Sequence, residues 1–434
     1  MITRRALFAA ALQRTTRPNI VLLLADDLGS ADLSSFGATD IRTPNIDSIA
    51  ASGVKLTECY ACPECSPTRA SIMTARYPQR VGGLECAIGV DDVGRYDEAD
   101  WLAKQGELGL PTSETSIATM LKKSGYDTAL FGKWHLGYRE KFWPNHHGFD
   151  ETFGILGGNA DYFKHTEENG RNTLFENGKL TTRTGYLTDL LAEAAIGWLK
   201  KRTAHPFFLY LPFNAPHVPI QDPDGKDPGK GRAIYAKMVE RVDARVGDIL
   251  AQLDRMGAAN NTLVIFMSDN GADPNGSNGA LHGRKSSVYE GGIRVPAMVR
   301  WPGELPQGKE SAAVTLAMDI GATALAVARV KPARKLDGVN MLPAWRGGPE
   351  PQRAVFWRFR RGNIRRRAVR EGSLKLTDDN GKIEMFDLAK DPREAANIAD
   401  RPDHSASRAR LLASLAAWEK DVQAPRLKDF RAPA

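Results

Sequence analysis

The chain has 434 residues, 42% of them hydrophobic and 26% charged, with a formal net charge of +7. That length holds one large core plus a smaller domain, and the composition excludes a disordered or fibrous chain. No apolar run approaches the length that spans a bilayer, and four cysteines are too few for a disulfide scaffold.

Thr3-Arg4-Arg5-Ala6-Leu7-Phe8 and the patch Ala9 to Leu12 resemble an export signal of the twin-arginine type, so residues 1–17 are expected to be a tail or a signal. The expected location is periplasmic or secreted, with cytoplasmic as the alternative. Asn19 to Ala25 is a continuous apolar run, the pattern of a strand buried on both faces. It ends in Asp26-Asp27-Leu28-Gly29, and two acids directly after a core strand are costly unless solvated, paired or bound to a metal. Thr43-Pro44-Asn45 opens a short helix through Ala51, Gly53 stops it, and Val54 to Cys59 reads as a strand.

Cys65-Ser66-Pro67-Thr68-Arg69 follows, and the chain runs on to Ala75 without a breaker. Pro67 suits an early helical position, where its missing N–H leaves no bond unmade. Cys65 then sits at a helix N-terminus, where free N–H groups and the dipole favour an anion. Arg69, four residues on, shares its face. The alternative is a buried thiol beside a helix-stabilising Arg. Cys59, Cys62 and Cys65 are spaced by three and invite a metal or iron–sulfur reading. A helix starting near Cys65 would point these thiols apart, and no motif supplies a fourth ligand.

Val81 to Pro111, Gly-rich, acidic and aperiodic, reads as a surface insertion near the site. Thr115 to Lys123 reads as a helix, and Asp127 to Phe131 as a strand followed by Gly132-Lys133-Trp134-His135-Leu136-Gly137. Asn145 to Arg183 reads as loop-rich, Tyr186 to Lys201 as an amphipathic helix, and Pro206 to Phe213 as a strand followed by Asn214-Ala215-Pro216-His217. After the Gly/Pro/Asp-rich loop Gln221 to Arg232, Ile234 to Met256 is a long helix. Thr262 to Met267 is another buried strand, followed by Ser268-Asp269-Asn270-Gly271 and then Gly283-Arg284-Lys285, and Val314 to Val327 reads as a helix.

This alternation predicts an α/β fold over residues 18–342, with a large, mostly parallel central sheet flanked by helices. Leu342 to Gln352 reads as a linker. Residues 353–425 hold the runs Ala354–Phe359, Ile364–Arg370, Ser373–Thr377 and Ile383–Leu388, with hairpin turns at Gly372 and Asp379-Asn380-Gly381 and a helix over Ser405–Asp421. That predicts a small antiparallel sheet with one packed helix. Seven arginines lie between Arg358 and Arg370. They read as a solvated face of this sheet rather than a polyanion-binding surface, and no nucleic-acid partner is expected.

Four predicted core strands are each followed at once by polar residues: Asp26 and Asp27, Lys133 and His135, Asn214 and His217, Asp269 and Asn270. Open parallel sheets bind ligands beyond the carboxyl ends of their strands, so these groups should gather along one edge. Asp26, Asp27, Asp269 and Asn270 offer only oxygen ligands, which selects Ca²⁺ or Mg²⁺ over zinc. His135 and His217 are then free for acid–base work, and Arg69, Lys133 and Lys285 suit a bound oxyanion.

Together these stretches resemble the formylglycine-dependent sulfatases of the alkaline phosphatase superfamily. Cys65-Ser66-Pro67-Thr68-Arg69 is similar to the family's nucleophile motif, although Ala75 stands where the longer pattern has Gly. Pro18 through Gly29, Thr43-Pro44-Asn45-Ile46-Asp47, Tyr77-Pro78, Gly132 to Gly137, Ala215-Pro216-His217, Ser268 to Gly271, Gly291 to Pro296 and Met385-Phe386-Asp387-Leu388 each resemble a family signature, in family order. Gly276-Ser277-Asn278-Gly279 and Gly148-Phe149-Asp150-Glu151 look more like the arylsulfatase and N-acetylgalactosamine-6-sulfatase branch than the choline-sulfatase branch.

The resemblance implies an alkaline-phosphatase-like fold and hydrolysis of a sulfate monoester, an aryl sulfate or a sulfated sugar or glycan. It implies that a formylglycine-generating enzyme converts Cys65 to formylglycine (3-oxoalanine), whose hydrate attacks sulfur. Asp26, Asp27, position 65, Asp269 and Asn270 would hold Ca²⁺, with Mg²⁺ as the alternative. Arg69 would steady the hydrated aldehyde, Lys133 and Lys285 would bind sulfate oxygens, His217 would assist the leaving alcohol, and His135 would take a proton from the second hydroxyl. No role is carried over onto His282. The loops Val81–Pro111 and Gly154–Arg183 would set specificity. The rival readings are a phosphonate monoester or phosphodiester hydrolase of the superfamily and an unmodified sulfate-binding protein. A single metal site favours sulfate, because a phosphate monoester dianion demands more cation.

Overall fold

Asn19–Ala25 forms β1, buried along its whole length. Strand alternation sends Ile20, Leu22 and Leu24 into one core and Val21, Leu23 and Ala25 into another, so both faces of the sheet are covered. The helices Cys65–Thr74, Ile117–Lys123 and Ala317–Val327 pack on the first face; Pro44–Ala51, Leu187–Leu199 and Arg232–Arg255 pack on the second. The computed structural model describes residues 17–202, 205–226 and 231–431, so the expected export signal lies outside the described residues.

The other strands of the large sheet are β2 (Val54–Tyr60), β3 (Asp127–Lys133), β4 (Glu151–Ile155), β5 (Leu174–Glu176), β6 (Lys179–Leu180), β7 (Phe207–Pro212), β8 (Thr262–Ser268), β9 (Arg294–Arg300), β10 (Lys309–Ser311) and β11 (Thr315–Leu316). Their order is β10-β2-β9-β8-β1-β7-β3-β4-β5-β6, with β11 beside β2. The run β8-β1-β7-β3-β4 is parallel, as expected for strands that read as unbroken apolar runs. Ala25 pairs with Ser268 and Leu24 with Pro212, so three strands end level and release their following loops at one edge.

β9 is antiparallel to both neighbours although it contains Pro296. Its register with β2 jumps between Leu56 and Cys59, which places a bulge opposite the proline that cannot donate. Gly321 permits the close approach of its helix to the helix Cys65–Thr74: a Cβ there would lie 2.4 Å from the Ile72 carbonyl oxygen.

One expectation fails here. Val81 to Pro111 is not a surface insertion. Val81, Leu84, Cys86, Ile88, Leu102, Leu108 and Leu110 are buried in the first core, and Asp97–Lys104 is helical. The loop-rich stretch Asn145 to Arg183 also carries the short strands β4, β5 and β6.

The second sheet is antiparallel in chain order: β12 (Ala354–Arg361), β13 (Ile364–Glu371), β14 (Leu374–Asp379) and β15 (Lys382–Asp387). Asn380 (φ 51°) and Gly381 (φ 92°) make the left-handed pair that a tight hairpin of this twist requires. The helix Ser405–Asp421 lays Leu411, Leu415 and Trp418 on Val369, Leu376 and Met385. Within 342–352, Leu342–Trp345 is a helical turn, with Leu342, Ala344 and Trp345 buried in the first core. No helix among the described residues is long and apolar enough to cross a membrane.

Candidate active site

All ten residues of the helix Cys65–Thr74 are buried. Glu64 precedes it in an extended conformation and does not cap it. Its carboxylate accepts instead from Ser286 Oγ (2.6 Å), Ala87 N (2.7 Å) and Cys86 Sγ (3.2 Å), which draws the segments on either side of Cys65 together. The helix ends at Ala75 in the left-handed region (φ 52°). This is the conformation that suits glycine, the residue expected there from the longer motif.

Arg69 is fully buried among acceptors. Its Nε and Nη2 donate to Asp269 Oδ2 at 3.1 and 2.8 Å, and its Nη1 donates to the Lys133 carbonyl at 2.6 Å. Asp26 Oδ2 is 3.5 Å from Nη2 and also pairs with Lys133 Nζ. Asp27, at φ 65°, meets Lys285 Nζ at 2.7 Å, Asn270 Nδ2 at 2.7 Å and His217 Nε2 at 3.5 Å. These contacts link the loops after β1, β3, β7 and β8 to the loop that carries Lys285. Candidate ligand atoms of Asp26, Cys65 and Asp269 lie within 4.8 Å of one another, as do those of Asp26, Asp27 and His217.

The donor set fits a hard cation. Asp26 Oδ1 and Asn270 Oδ1 are buried with no hydrogen-bond partner. A buried acceptor left unsatisfied costs about 1–3 kcal/mol, and oxygen coordination by a divalent ion removes that cost. Burial and Asp26 push the Asp269 carboxyl up to about 6 against Arg69, as expected where carboxylates crowd. Burial alone would raise Asp27, but Lys285 and His217 outweigh it and hold the carboxyl well below its usual range.

His135, at φ 55°, is fixed at both ring nitrogens. Its Nε2 is 2.9 Å from the Ile88 carbonyl, which only accepts, so Nε2 carries the proton. Nδ1 then turns its lone pair to Cys65 Sγ at 3.2 Å. Burial and Lys133 keep this imidazole neutral, well below the ordinary histidine range. Burial pushes the Cys65 thiol up to about 11 despite Lys133 and Lys285. Burial lowers His217 to about 3, with Asp27 opposing and Lys285 and Lys133 reinforcing the shift.

The ten residues given roles in the sequence analysis thus come together: Asp26, Asp27, Cys65, Arg69, Lys133, His135, His217, Asp269, Asn270 and Lys285; Asn214 is buried after β7 with its Oδ1 unpartnered. Cys59, Cys62 and Cys65 form no three-thiol group among the described residues. Beside the cluster opens a cavity of about 350 Å³, lined by Cys65, His135, His217 and Lys285. Its wall also includes Glu64, Arg95, Tyr138 and Arg361, which the sequence did not single out. Glu64 adjoins Cys65, and Arg361 lies within the arginine run, but neither position by itself signals a cavity. Asn159 and Glu168, from the stretch read as loop-rich, line it too.

The family profile described as Sulfatase matches residues 18–330, and that of the N-sulphoglucosamine sulphohydrolase C-terminal region matches residues 281–421. N-acetylgalactosamine-6-sulfatase of Canis lupus familiaris is 35% identical over 364 residues, covering 78% of this chain and 68% of that protein. The structure of Ps i-CgsB in complex with k-i-k-neocarrahexaose superimposes with a TM-score of 0.84 at 33% identity, covering 94% of each chain. The phosphonate monoester hydrolase of Agrobacterium radiobacter has a TM-score of 0.68 at 24% identity, covering 93% of this chain and 96% of that one, a likeness of fold.

Proposed function

The chain belongs to the sulfatase family and hydrolyses sulfuric esters, and we propose that it does so with position 65 as formylglycine and a divalent cation at Asp26, Asp27, Asp269 and Asn270. The observation that carries this reading is the meeting of Cys65, at the start of a buried helix, with Asp26 and Asp269 on one side and His135 Nδ1 on the other. The thiol itself is ill suited to attack: held up at about 11, it stays protonated at neutral pH. Formylglycine would supply a hydrated aldehyde as the nucleophile, formed by a formylglycine-generating enzyme during maturation. The cation, Ca²⁺ or Mg²⁺, would supply Lewis-acid polarisation of a sulfate oxygen.

The chain's own groups divide the remaining work. Arg69 fixes Asp269 and the helix that carries position 65. Lys133 and Lys285 bring two buried ammonium groups to bear on the sulfate oxygens, in a setting of low dielectric where each acts strongly. His135 presents a free Nδ1 lone pair to position 65 and takes the proton released there. His217 lines the cavity and is neutral beside Lys285 and Lys133. The negative charge of an arriving sulfate favours its protonated form, which then serves the leaving alcohol.

The substrate class is an aryl sulfate or a sulfated sugar. Paired assays on an aryl sulfate and an aryl phosphodiester separate this reading from the phosphodiesterase alternative. Preferred sulfate hydrolysis, abolished by Cys65→Ala, supports it; preferred phosphodiester hydrolysis contradicts it.

A further inference from the structure

The arginines around the cavity differ in how they are paired. In the run along β12 and β13, Arg358 meets Glu85 (2.6 Å), Arg360 meets Asp97 (2.6 Å), Arg365 meets Glu419 (2.7 Å), Arg366 meets Asp379 (3.0 Å), Arg367 meets Asp378 (2.6 Å) and Arg370 meets Glu58 (2.5 Å). The run is therefore neutralised by partners rather than left as a solvated basic face. Arg361 is the exception. Its Nη1 stands 3.5 Å from Glu64 Oε1, and that carboxylate is already taken by Ser286, Ala87 and Cys86. Arg361 is exposed at the hairpin tip and lines the cavity that holds Cys65.

Arg95 is the second cation of this kind. It lines the same cavity, and among the described residues its guanidinium has no carboxylate partner. Its backbone carbonyl accepts from Gly362 N at 2.7 Å, which ties the segment bearing Arg95 to the hairpin tip bearing Arg361. Of the acids on the wall, Asp273 lies within the influence of Lys285 and Arg284, and Glu168 is exposed. Lys133 and Lys285 each sit on a carboxylate of the reaction cluster. Arg95, without a carboxylate partner among the described residues, and Arg361, with only the 3.5 Å contact to a shared Glu64, thus stand in the wall of a site whose reacting cations lie elsewhere.

We infer that Arg95 and Arg361 form a second anion subsite, which takes a carboxylate or a second sulfate carried by the substrate beside its scissile sulfate. The planar guanidinium fork matches the paired oxygens of either anion. The inference rests on the sulfatase reading for the reacting group and adds to it that the preferred substrate carries at least two negative groups.

The test is calorimetric binding to the full-length, Ca²⁺-loaded Cys65→Ala protein, with three probes: a hexose with one sulfate, the same hexose with two, and a sulfated hexose linked to a uronic acid. At least one two-anion probe should bind about tenfold tighter than the monosulfated hexose, as one charge-assisted contact provides. Which probe gains identifies the anion. Adding Arg95→Gln or Arg361→Gln should erase that gain and change monosulfate affinity by less than about twofold, whereas Arg361→Lys retains part of the gain. Equal affinity for all three probes overturns the inference. So does an equal loss for all three in the Arg variants, which would place these arginines on the scissile sulfate. Parallel turnover assays on the protein bearing formylglycine keep the two readings apart. If no sulfate ester is cleaved while the binding preference persists, the hydrolytic reading fails and the subsite stands.

Discussion

His135 Nδ1 lies 3.2 Å from Cys65 Sγ while its Nε2 is committed to the Ile88 carbonyl at 2.9 Å. One ring nitrogen is thereby locked as donor and the other left as an acceptor facing position 65. Ser66, the next residue of the helix, donates its Oγ to the His135 carbonyl at 2.9 Å and accepts from Ile88 N at 3.2 Å. The helix that bears the nucleophile position thus also orients its base.

His135→Ala should lower kcat by about 10²–10⁴-fold, the range of a lost general base, with formylglycine content unchanged by mass spectrometry. Ser66→Ala should cost about tenfold, because it loosens the base without removing it. An unchanged kcat in His135→Ala would remove His135 from the reaction.

Chelation should lower both activity and Tm, with Ca²⁺ or Mg²⁺ restoring both. An ion at about 100 times its Kd adds about 2.7 kcal/mol of stability. Asn270→Ala removes one of the two orphaned oxygens and should weaken that metal-dependent Tm gain. A Tm unaffected by chelator and metal would contradict the assignment of this cluster as a cation site.

Lys375 Nζ is buried between the carboxylates of Glu290 and Glu394, 2.8 Å from each. It joins β14 of the second sheet to the segment that follows Lys285. Lys375→Met leaves this buried negative charge without its nearest cation and should destabilise the protein by about 3–5 kcal/mol in urea unfolding. Hydrogen exchange should rise first at Glu290–Ile293. A neutral effect would mean that Arg294 and Tyr60 suffice for Glu290.

His147 is buried, its Nε2 has no partner, and burial together with His146 lowers it from 6.5 to about 4. The unfolded chain therefore takes up this proton first as pH falls. Its contribution to stability is complete above pH 6.5 and is lost as pH drops toward about 4, a span worth about 3 kcal/mol. His147→Gln should flatten that part of the pH–stability curve; an unchanged slope would mean that other groups govern acid sensitivity.

Asp26, Asp27, Lys133, His135, His217, Asp269 and Asn270 were legible because they end or follow strands buried on both faces, whereas Cys65 and Arg69 were legible from their motif at a helix start. Such strands announce themselves as apolar runs, and the parallel order of β8, β1, β7 and β3 then brings their ends together. The wall of the cavity was not legible. Val81, Leu84, Ile88 and Leu108, in the segment that carries Arg95, are buried without a helical or strand period, because they fill space beneath an irregular chain. Pro296 obscured β9, since a proline argues against an interior strand unless a bulge stands opposite, and that bulge belongs to another segment. Arg361 looked like its neighbours in the arginine run; only their carboxylate partners, distant in sequence, distinguish it.

The most direct measurement is mass spectrometry of the peptide containing Cys65, after co-expression with a formylglycine-generating enzyme, read beside aryl sulfate hydrolysis by the same preparations. The predicted result is loss of the thiol to an aldehyde, with sulfate-ester turnover rising in proportion to the converted fraction. Fully converted protein that cleaves no sulfate ester, or unconverted protein that cleaves it equally well, would contradict the role given to position 65.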